Sequence, residues 1–223
     1  MSKAIVLLSG GIDSAVCLFK AVQDQGARNV VPLTFDWGHR SWREERKASE
    51  ALARAVGVEP PVIVAIRFPY GGLLTDEEAS VPLDRSKHDI EGRGIAPTFF
   101  PGRNIVMLSH AFGLAASRGA DTIYFGPNSV DEHGYPDCRK AFVSAMEAAG
   151  NIGLAVEGIE LVAPLIEMSQ ADIVVMGEGL GVPWGLTFSC YAPAAGKPCG
   201  RCDSCSIRRE AFKDAGLADP AAA

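Results

Sequence analysis

The sequence has no apolar run approaching the ~18 residues that a membrane-spanning helix needs. It also has no basic surplus: 21 Lys and Arg stand against 27 Asp and Glu, a formal net charge of −6. The first absence excludes a membrane helix. The second argues against a nucleic-acid binder, which needs cations to meet phosphate. There is no internal repeat, no low-complexity segment, and neither of the phosphate-binding patterns G-x-x-x-x-G-K-S/T and G-x-G-x-x-G. Nor are the six cysteines spread through the chain as a disulfide scaffold would spread them. What remains is an ordinary globular composition over 223 residues, 48% apolar and 22% charged. The opening Met1-Ser2-Lys3-Ala4-Ile5-Val6-Leu7-Leu8 is too short for a secretory signal and lacks a cleavage site. It reads as the first buried strand of a cytoplasmic protein that handles small molecules.

Short apolar runs alternate with helix-period patterns. Strands are expected at residues 4–8, 30–35, 62–66, 122–125 and 159–162, and helices at 14–25, 42–56, 103–118, 138–149, 169–177 and 206–214. Gly26, Gly57 and Gly119 stop three of the helices, and Ser169 caps another. Residues 69–97 have no clear period and read as a long functional loop. The final Asp219-Pro220-Ala221-Ala222-Ala223 is expected to fray. The alternation implies an α/β fold with a doubly wound parallel sheet. Ligands then belong at the carboxyl ends of the strands. A division into residues 1–186, which would bind nucleotide, and a metal-binding C-terminal segment 187–223 packed on them is expected.

Between the first strand and the first helix lies Ser9-Gly10-Gly11-Ile12-Asp13-Ser14. Two glycines let the backbone turn tightly and bring its N–H groups to an anion. Two serines add hydroxyls, and a helix starting at Ser14 would aim its positive end at the same point. Asp13 is out of place in an anion seat unless it helps to hold Mg²⁺ or caps the helix. A glycine turn with no ligand is the plainer alternative. The hexapeptide as a whole resembles the S-G-G-x-D-S signature of the PP-loop ATP pyrophosphatases, which implies a site for ATP.

Near the C-terminus, Cys199-Gly200-Arg201-Cys202-Asp203-Ser204-Cys205 forms C-x2-C-x2-C, and Cys190 lies nine residues upstream. Four thiolates close a tetrahedron around a structural Zn²⁺. An iron–sulfur cluster is the competitor, but the bacterial ferredoxin run needs a fourth cysteine three residues on, followed by proline, where Ser206-Ile207-Arg208-Arg209 stands. Zinc is preferred. Cys17 and Cys138 read as packed small hydrophobes, Trp37 and Trp42 as packing residues, and His133 as a loop histidine without a role.

Together with Phe100-Pro101-Gly102-Arg103-Asn104 and Gly134-Tyr135-Pro136-Asp137-Cys138-Arg139, these blocks resemble the 7-cyano-7-deazaguanine synthase family, known as QueC, over nearly the whole chain. The resemblance implies a PP-loop fold, a homodimer, one structural zinc on Cys190, Cys199, Cys202 and Cys205, and a place in queuosine biosynthesis. It implies an ATP-dependent ligase that adenylates 7-carboxy-7-deazaguanine, lets ammonia displace AMP, and adenylates the amide again on the way to the nitrile. Leu8, Ser9, Gly10, Gly11, Ile12, Asp13, Ser14, Phe35 and Arg103 would bind ATP, with adenine near Thr34-Phe35-Asp36. Ser9, Asp13, Ser14 and Arg103 would carry the chemistry. Asn104, Asp131, Asp137 and Arg139 would hold the substrate, the two aspartates reading its guanine-like edge. Plainer roles stand beside these: a surface ion pair for Arg103 and a helix N-cap for Asp137.

Three blocks depart from the family's pattern. Trp37-Gly38-His39-Arg40-Ser41 stands where the family usually has Tyr-Gly-Gln-Arg-His, although Glu44 keeps the acidic position that follows. Glu132-His133 replaces an aromatic residue and serine. Ser169-Gln170 replaces Ser-Lys. A second expectation follows: a paralogue that forms the same acyl adenylate but passes the acyl group to another amine, on a protein terminus or other macromolecule, in a defence or modification pathway. A non-catalytic zinc module is a third, and the intact glycine loop argues against it. Other PP-loop chemistry on tRNA needs a basic face or a catalytic cysteine pair, and neither is evident.

Overall fold

A computed structural model describes residues 2–221 apart from 77, 91, 93, 156 and 157, and only the backbone at 87, 132 and 133. The expectations for Ala222-Ala223 and for the His133 side chain fall outside the described residues. Five strands, β1 (Ala4–Leu7), β2 (Val30–Asp36), β3 (Val62–Ala65), β4 (Thr122–Tyr124) and β5 (Glu160–Val162), form one sheet in the order β3-β2-β1-β4-β5. Every pairing is parallel, with Ala4 opposite both Val30 and Thr122. Leu8, Ile66 and Phe125 lie just past these strands but still donate ladder hydrogen bonds to Leu33, Asp36 and Val162 (2.8, 2.7 and 2.9 Å).

The helices are α1 (Ile12–Gln25), α2 (Trp42–Val56), the single turn α3 (Lys87–Ile90), α4 (Arg103–Arg118), the single turn α5 (Asp131–Gly134), α6 (Lys140–Leu154), α7 (Gln170–Leu180) and α8 (Asp203–Asp214). Burial explains the sequence pattern. Ala4, Ile5 and Val6 of the central strand are fully buried, because apolar layers cover both faces. Ile5, Leu33, Ile123, Leu108 and Phe112 form one layer under α4 and α6. Val6, Leu18, Leu52, Ile173 and Phe212 belong to the other, under α1, α2, α7 and α8. Burying an aromatic such as Phe112 stabilises the fold by about 3–5 kcal/mol, judged from the usual cost of truncating one to alanine.

Four local expectations are corrected. α1 begins at Ile12, not Ser14, and its N-cap is Gly11 with no side-chain cap, so Asp13 sits inside the first turn and does not cap the helix. α6 begins at Lys140, not 138. Pro136 opens a 3-10 turn (Pro136–Cys138) and Arg139 is extended (ψ 152), so Asp137 is not the N-cap either. α6 also runs past Ala149, because Gly150 lets the Phe112 ring pack directly on the helix backbone. α8 starts at Asp203, which draws Cys205 into its first turn. The Ser169 cap is a full capping box with Asp172.

The strand order reverses between β1 and β4. The segments after these two strands therefore diverge and leave a crevice, the usual ligand position in such sheets. The glycine loop leaves β1 and residues 125–139 leave β4, so both line it.

Candidate functional site

Two adjoining cavities, of about 250 and 260 Å³, form two lobes of the crevice. They share a centre that includes Ser9, Asp13, Ser14, Glu45, Arg103 and Asp131. One lobe is polar, with Thr98, Tyr135, Gln170 and Ser189 in its wall. The other is more apolar, with Leu33, Phe35, Trp37, Met107 and Phe125.

The glycine loop folds around Ser14. Its Oγ accepts from the N–H groups of Ser9 (3.2 Å) and Gly10 (3.1 Å) and donates to the Gly11 carbonyl (3.1 Å). This hydroxyl is thus committed to the loop, whereas Ser9 is exposed at its tip. Gly10 has φ +89°, and a Cβ there would lie 2.7 Å from Ala48 Cβ and 2.9 Å from the Glu45 carbonyl. Only glycine lets α2 approach the turn this closely.

Asp13 is half-buried with amides as its side-chain partners, Asn128 Nδ2 and Gln170 Nε2, both at 3.4 Å. Burial and then the Asp131 charge raise its pKa to about 7, against the pull of those two amides. Burial lifts Asp131 to about 6, although an Asn128 N–H and Arg103 pull the other way. Glu45 behaves oppositely. Burial pushes it up, but His39, a hydrogen bond from Ser41 and the Arg103 charge outweigh that and hold it below its ordinary value. His39 Nε2 lies 2.9 Å from Glu45 Oε2, Ser41 Oγ donates to Oε1 at 2.6 Å, and the imidazole stacks on Trp37 at 4.5 Å.

Arg103, at the start of α4, is half-buried in the shared centre, its guanidinium 5.3 Å from the Trp37 ring centroid. That replaces the surface ion pair weighed for it. Leu8, Phe35 and Asn104 line the apolar lobe, and Gly11 and Ile12 the polar one. Gly10 is buried in the turn. Asp137 and Arg139 line neither lobe. Asp137 is buried behind Cys138 with Oδ2 unpartnered, and Arg139 is exposed at the start of α6. Cys17 and Cys138 are buried, and burial raises both thiols well above the ordinary range, as expected of packing residues. Trp37 both packs and lines the cavity.

Two of the three departures from the family's pattern lie in this cavity. Trp37, His39 and Ser41 line the apolar lobe, and Gln170 reaches Asp13 in the polar one. Sequence reasoning missed Glu45, Asn128, Thr98, Tyr135 and Tyr191. Tyr135 lies inside a block already singled out, and Tyr191 follows a metal-ligand candidate. Glu45 carried only its i,i+4 spacing from Ser41.

The sulfur atoms of Cys190, Cys199, Cys202 and Cys205 all lie within 4.8 Å of one another and can hold a metal ion. Four thiolates around one ion with bonds of ~2.3 Å need sulfur separations of roughly 3.8 Å, and Cys202 and Cys205 are 3.5 Å apart. Backbone N–H groups of Cys199, Tyr191 and Cys202 point at Cys190, Cys202 and Cys199 sulfurs (3.2, 3.4 and 3.3 Å). This pattern favours thiolate over thiol. Cys202 and Cys205 also sit at the positive end of α8. No helix among the described residues is long and apolar enough to cross a membrane.

Comparison with known proteins bears on the fold and the family. A solved NMN synthetase from Francisella tularensis shares the fold, with a TM-score of 0.53 at 14% identity over 97% of this chain and 78% of that one. A 7-cyano-7-deazaguanine synthase of Solidesulfovibrio magneticus is 43% identical over 98% of this chain and 94% of its own length. One of Azoarcus sp. is 44% identical over 99% and 96%. The family described as queuosine biosynthesis protein QueC matches residues 3–216. The chain belongs to the QueC family.

Proposed function

We propose that the protein is an ATP-dependent ligase that converts 7-carboxy-7-deazaguanine to 7-cyano-7-deazaguanine. The observation that carries this reading is a crevice that gathers the glycine loop, Asp13, Arg103 and Asp131 at the sheet's switch point, in a chain of this family. A carboxylate resists amines because its leaving group would be oxide. Attack of its oxygen on the α-phosphorus of ATP releases pyrophosphate and leaves an acyl adenylate, whose leaving group is AMP. Ammonia adds to the acyl carbon, loses a proton and expels AMP to give the amide. A second adenylation on the amide oxygen, followed by loss of AMP and a proton, gives the nitrile.

Each residue has a place in this scheme. Ser9 and the loop amides seat the phosphates, and Arg103 meets the charge that develops at the α-phosphate. Phe35 and Thr34 form the wall for adenine. Asp36, which pairs with Arg67 at 2.9 Å, stands outside it. Asp131 accepts hydrogen bonds from the deazaguanine edge, and Asn104 lines the neighbouring apolar lobe. Asp137 and Arg139 support that region from behind the cavity wall.

Asp13 and Asp131 offer hard oxygen donors, and burial raises both their pKa values, so a bound cation would stabilise their charged forms. They fit Mg²⁺, which would neutralise phosphate charge when bound. The four cysteines fit Zn²⁺, as a closed site with no open position for catalysis. The division at residue 187, a homodimer and a cytoplasmic location complete the reading.

The departures favour a second reading. Gln170 is uncharged where the family's lysine would stand, so the acyl adenylate could instead be passed to the amine of another macromolecule. Mass spectrometry after incubation with 7-carboxy-7-deazaguanine, ATP, Mg²⁺ and ammonia decides. Nitrile with AMP and pyrophosphate is expected. Amide alone, or acyl adenylate that waits for another amine, supports the second reading. ADP and phosphate in place of AMP overturn both.

A further inference from the structure

Three rim segments that are far apart in sequence meet through hydroxyl groups in the polar lobe. Thr98 comes from the long loop after β3, Tyr135 from the segment after β4, and Tyr191 from the C-terminal tail. Thr98 Oγ1 lies 2.5 Å from the Tyr135 hydroxyl, which in turn interacts with that of Tyr191. Tyr191 borders both lobes.

The cysteine cluster determines where Tyr191 stands. Tyr191 follows Cys190, and its N–H donates to Cys202 Sγ at 3.4 Å. Three residues before Tyr191, Phe188 N–H donates to the Gly10 carbonyl at 2.8 Å, so residues 188–191 run between the glycine loop and the sulfurs. The same cluster holds the loop that carries Thr98. Leu83 forms a β-bridge with Cys202, Asp84 N–H donates to the Arg201 carbonyl at 2.8 Å, and Arg85 pairs with Asp203 at 2.8 Å.

We propose that Tyr191 is a specificity-determining residue of the deazapurine site, and that the metal at the four cysteines acts on substrate affinity by positioning it. This rests on the function proposed above. The chemistry of the two lobes supports it. Hydroxyls both donate and accept, so the Thr98–Tyr135–Tyr191 chain suits a flat heteroaromatic acid with donors and acceptors around its edge. The apolar lobe at Phe35 and Trp37 suits adenine. An uncommitted tail would leave the polar lobe open to water on the Tyr191 side.

The test uses metal-loaded full-length protein. The Tyr191→Phe variant keeps the ring and all four cysteines. It is expected to retain one metal per chain and to bind a non-hydrolysable ATP analogue within about twofold of the parent. Its affinity for 7-carboxy-7-deazaguanine, read by calorimetry, is expected to fall by about five- to tenfold, the usual effect of one lost hydrogen bond. Removing the metal with a chelator should weaken deazapurine binding at least as much, and little further in the variant than in the parent. It should also speed amide hydrogen exchange at residues 96–99 and 135–138. Equal loss of both ligands in Tyr191→Phe, or full deazapurine affinity after metal removal, overturns the inference. If the metal-loaded parent takes up no deazapurine acid, the functional reading fails. The exchange measurement still judges the link from cluster to wall, and unchanged exchange sinks it.

Discussion

Asp13 sits where folding stability and function pull in opposite directions. Its half-buried carboxyl stands beside Asp131, with amides as its side-chain partners, and its pKa rises from 3.8 to about 7. A raised acid pKa means that the folded state binds a proton which the unfolded state has released. Between these two values stability must therefore fall as pH rises, and above about pH 7 the full penalty is present. At 1.36 kcal/mol per pH unit the ceiling is about 4 kcal/mol, and about 2 kcal/mol is a sounder expectation because the lobe is open to water. The Asp13→Asn variant keeps an oxygen for one of the two amides, donates from its new NH2 to the turned carbonyl oxygen of the other, and cannot ionise. It should be more stable than the parent at pH 8, and the gap should narrow by about 1–2 kcal/mol at pH 5. Urea unfolding of both proteins at several pH values, without nucleotide or Mg²⁺, measures this. Release of AMP by the variant should fall at least about a hundredfold. A gap that stays constant with pH, or an Asn variant that is less stable at pH 8, refutes the reasoning.

Other outcomes follow from single contacts. Gln170→Lys puts a cation beside Asp13, which should lower that carboxyl's pKa and move the acid limb of the AMP-release profile down by about one pH unit. An unmoved limb would show that Asp13 does not set it. Cys202→Ser removes a central ligand, so metal content measured by mass spectrometry should drop below half and the melting temperature should fall by at least about 5 °C. Gly177→Ala places a Cβ 2.2 Å from the Trp184 ring and 2.9 Å from Val16 in the α1–α7 contact, and should cost about 1–3 kcal/mol in urea unfolding.

The elements that were legible in the sequence carry their own stop signals. α2 and α4 end where Gly57 and Gly119 adopt left-handed φ values of 78° and 61°, a local requirement that glycine meets at low cost. The start of α1 was misplaced for the converse reason. Its N-cap is Gly11, which offers no side chain to read, and Ser14 looks like a cap although it is a loop-closing residue. The glycine loop and Arg103 could be found because their neighbours in sequence are also their neighbours in space. Glu45, Asn128 and Tyr191 could not. Each becomes part of the site through packing between distant segments: Glu45 through the close passage of α2 over Gly10, Asn128 through its bond to Asp13, and Tyr191 through the cysteine cluster.

The same distinction accounts for the long loop. Residues 69–102 contain no helix longer than one turn among those described, yet they form a fixed wall of the cavity through Leu74 and Thr98. Backbone carbonyls in such a segment have no ladder partners and must be met some other way. Arg40 meets three of them, donating to the carbonyls of Leu73 (3.2 Å), Asp76 and Ala79 (2.8 Å). All three bonds come from one terminal nitrogen, Nη2, so its two hydrogens are shared among three carbonyls. Near its middle the Asp84 carboxylate is gripped by Arg201, which stands between Cys199 and Cys202. Arg40 follows directly on the residues that line the apolar lobe, so the wall is tied near its start to the proposed nucleotide side and near its middle to the metal ligands. Its conformation therefore depends on those two attachments as well as on its own short turns and the burial of Leu74, Val81 and Phe100, none of which repeats with a period. A change at either attachment should alter the shape of the cavity before it alters the stability of the sheet.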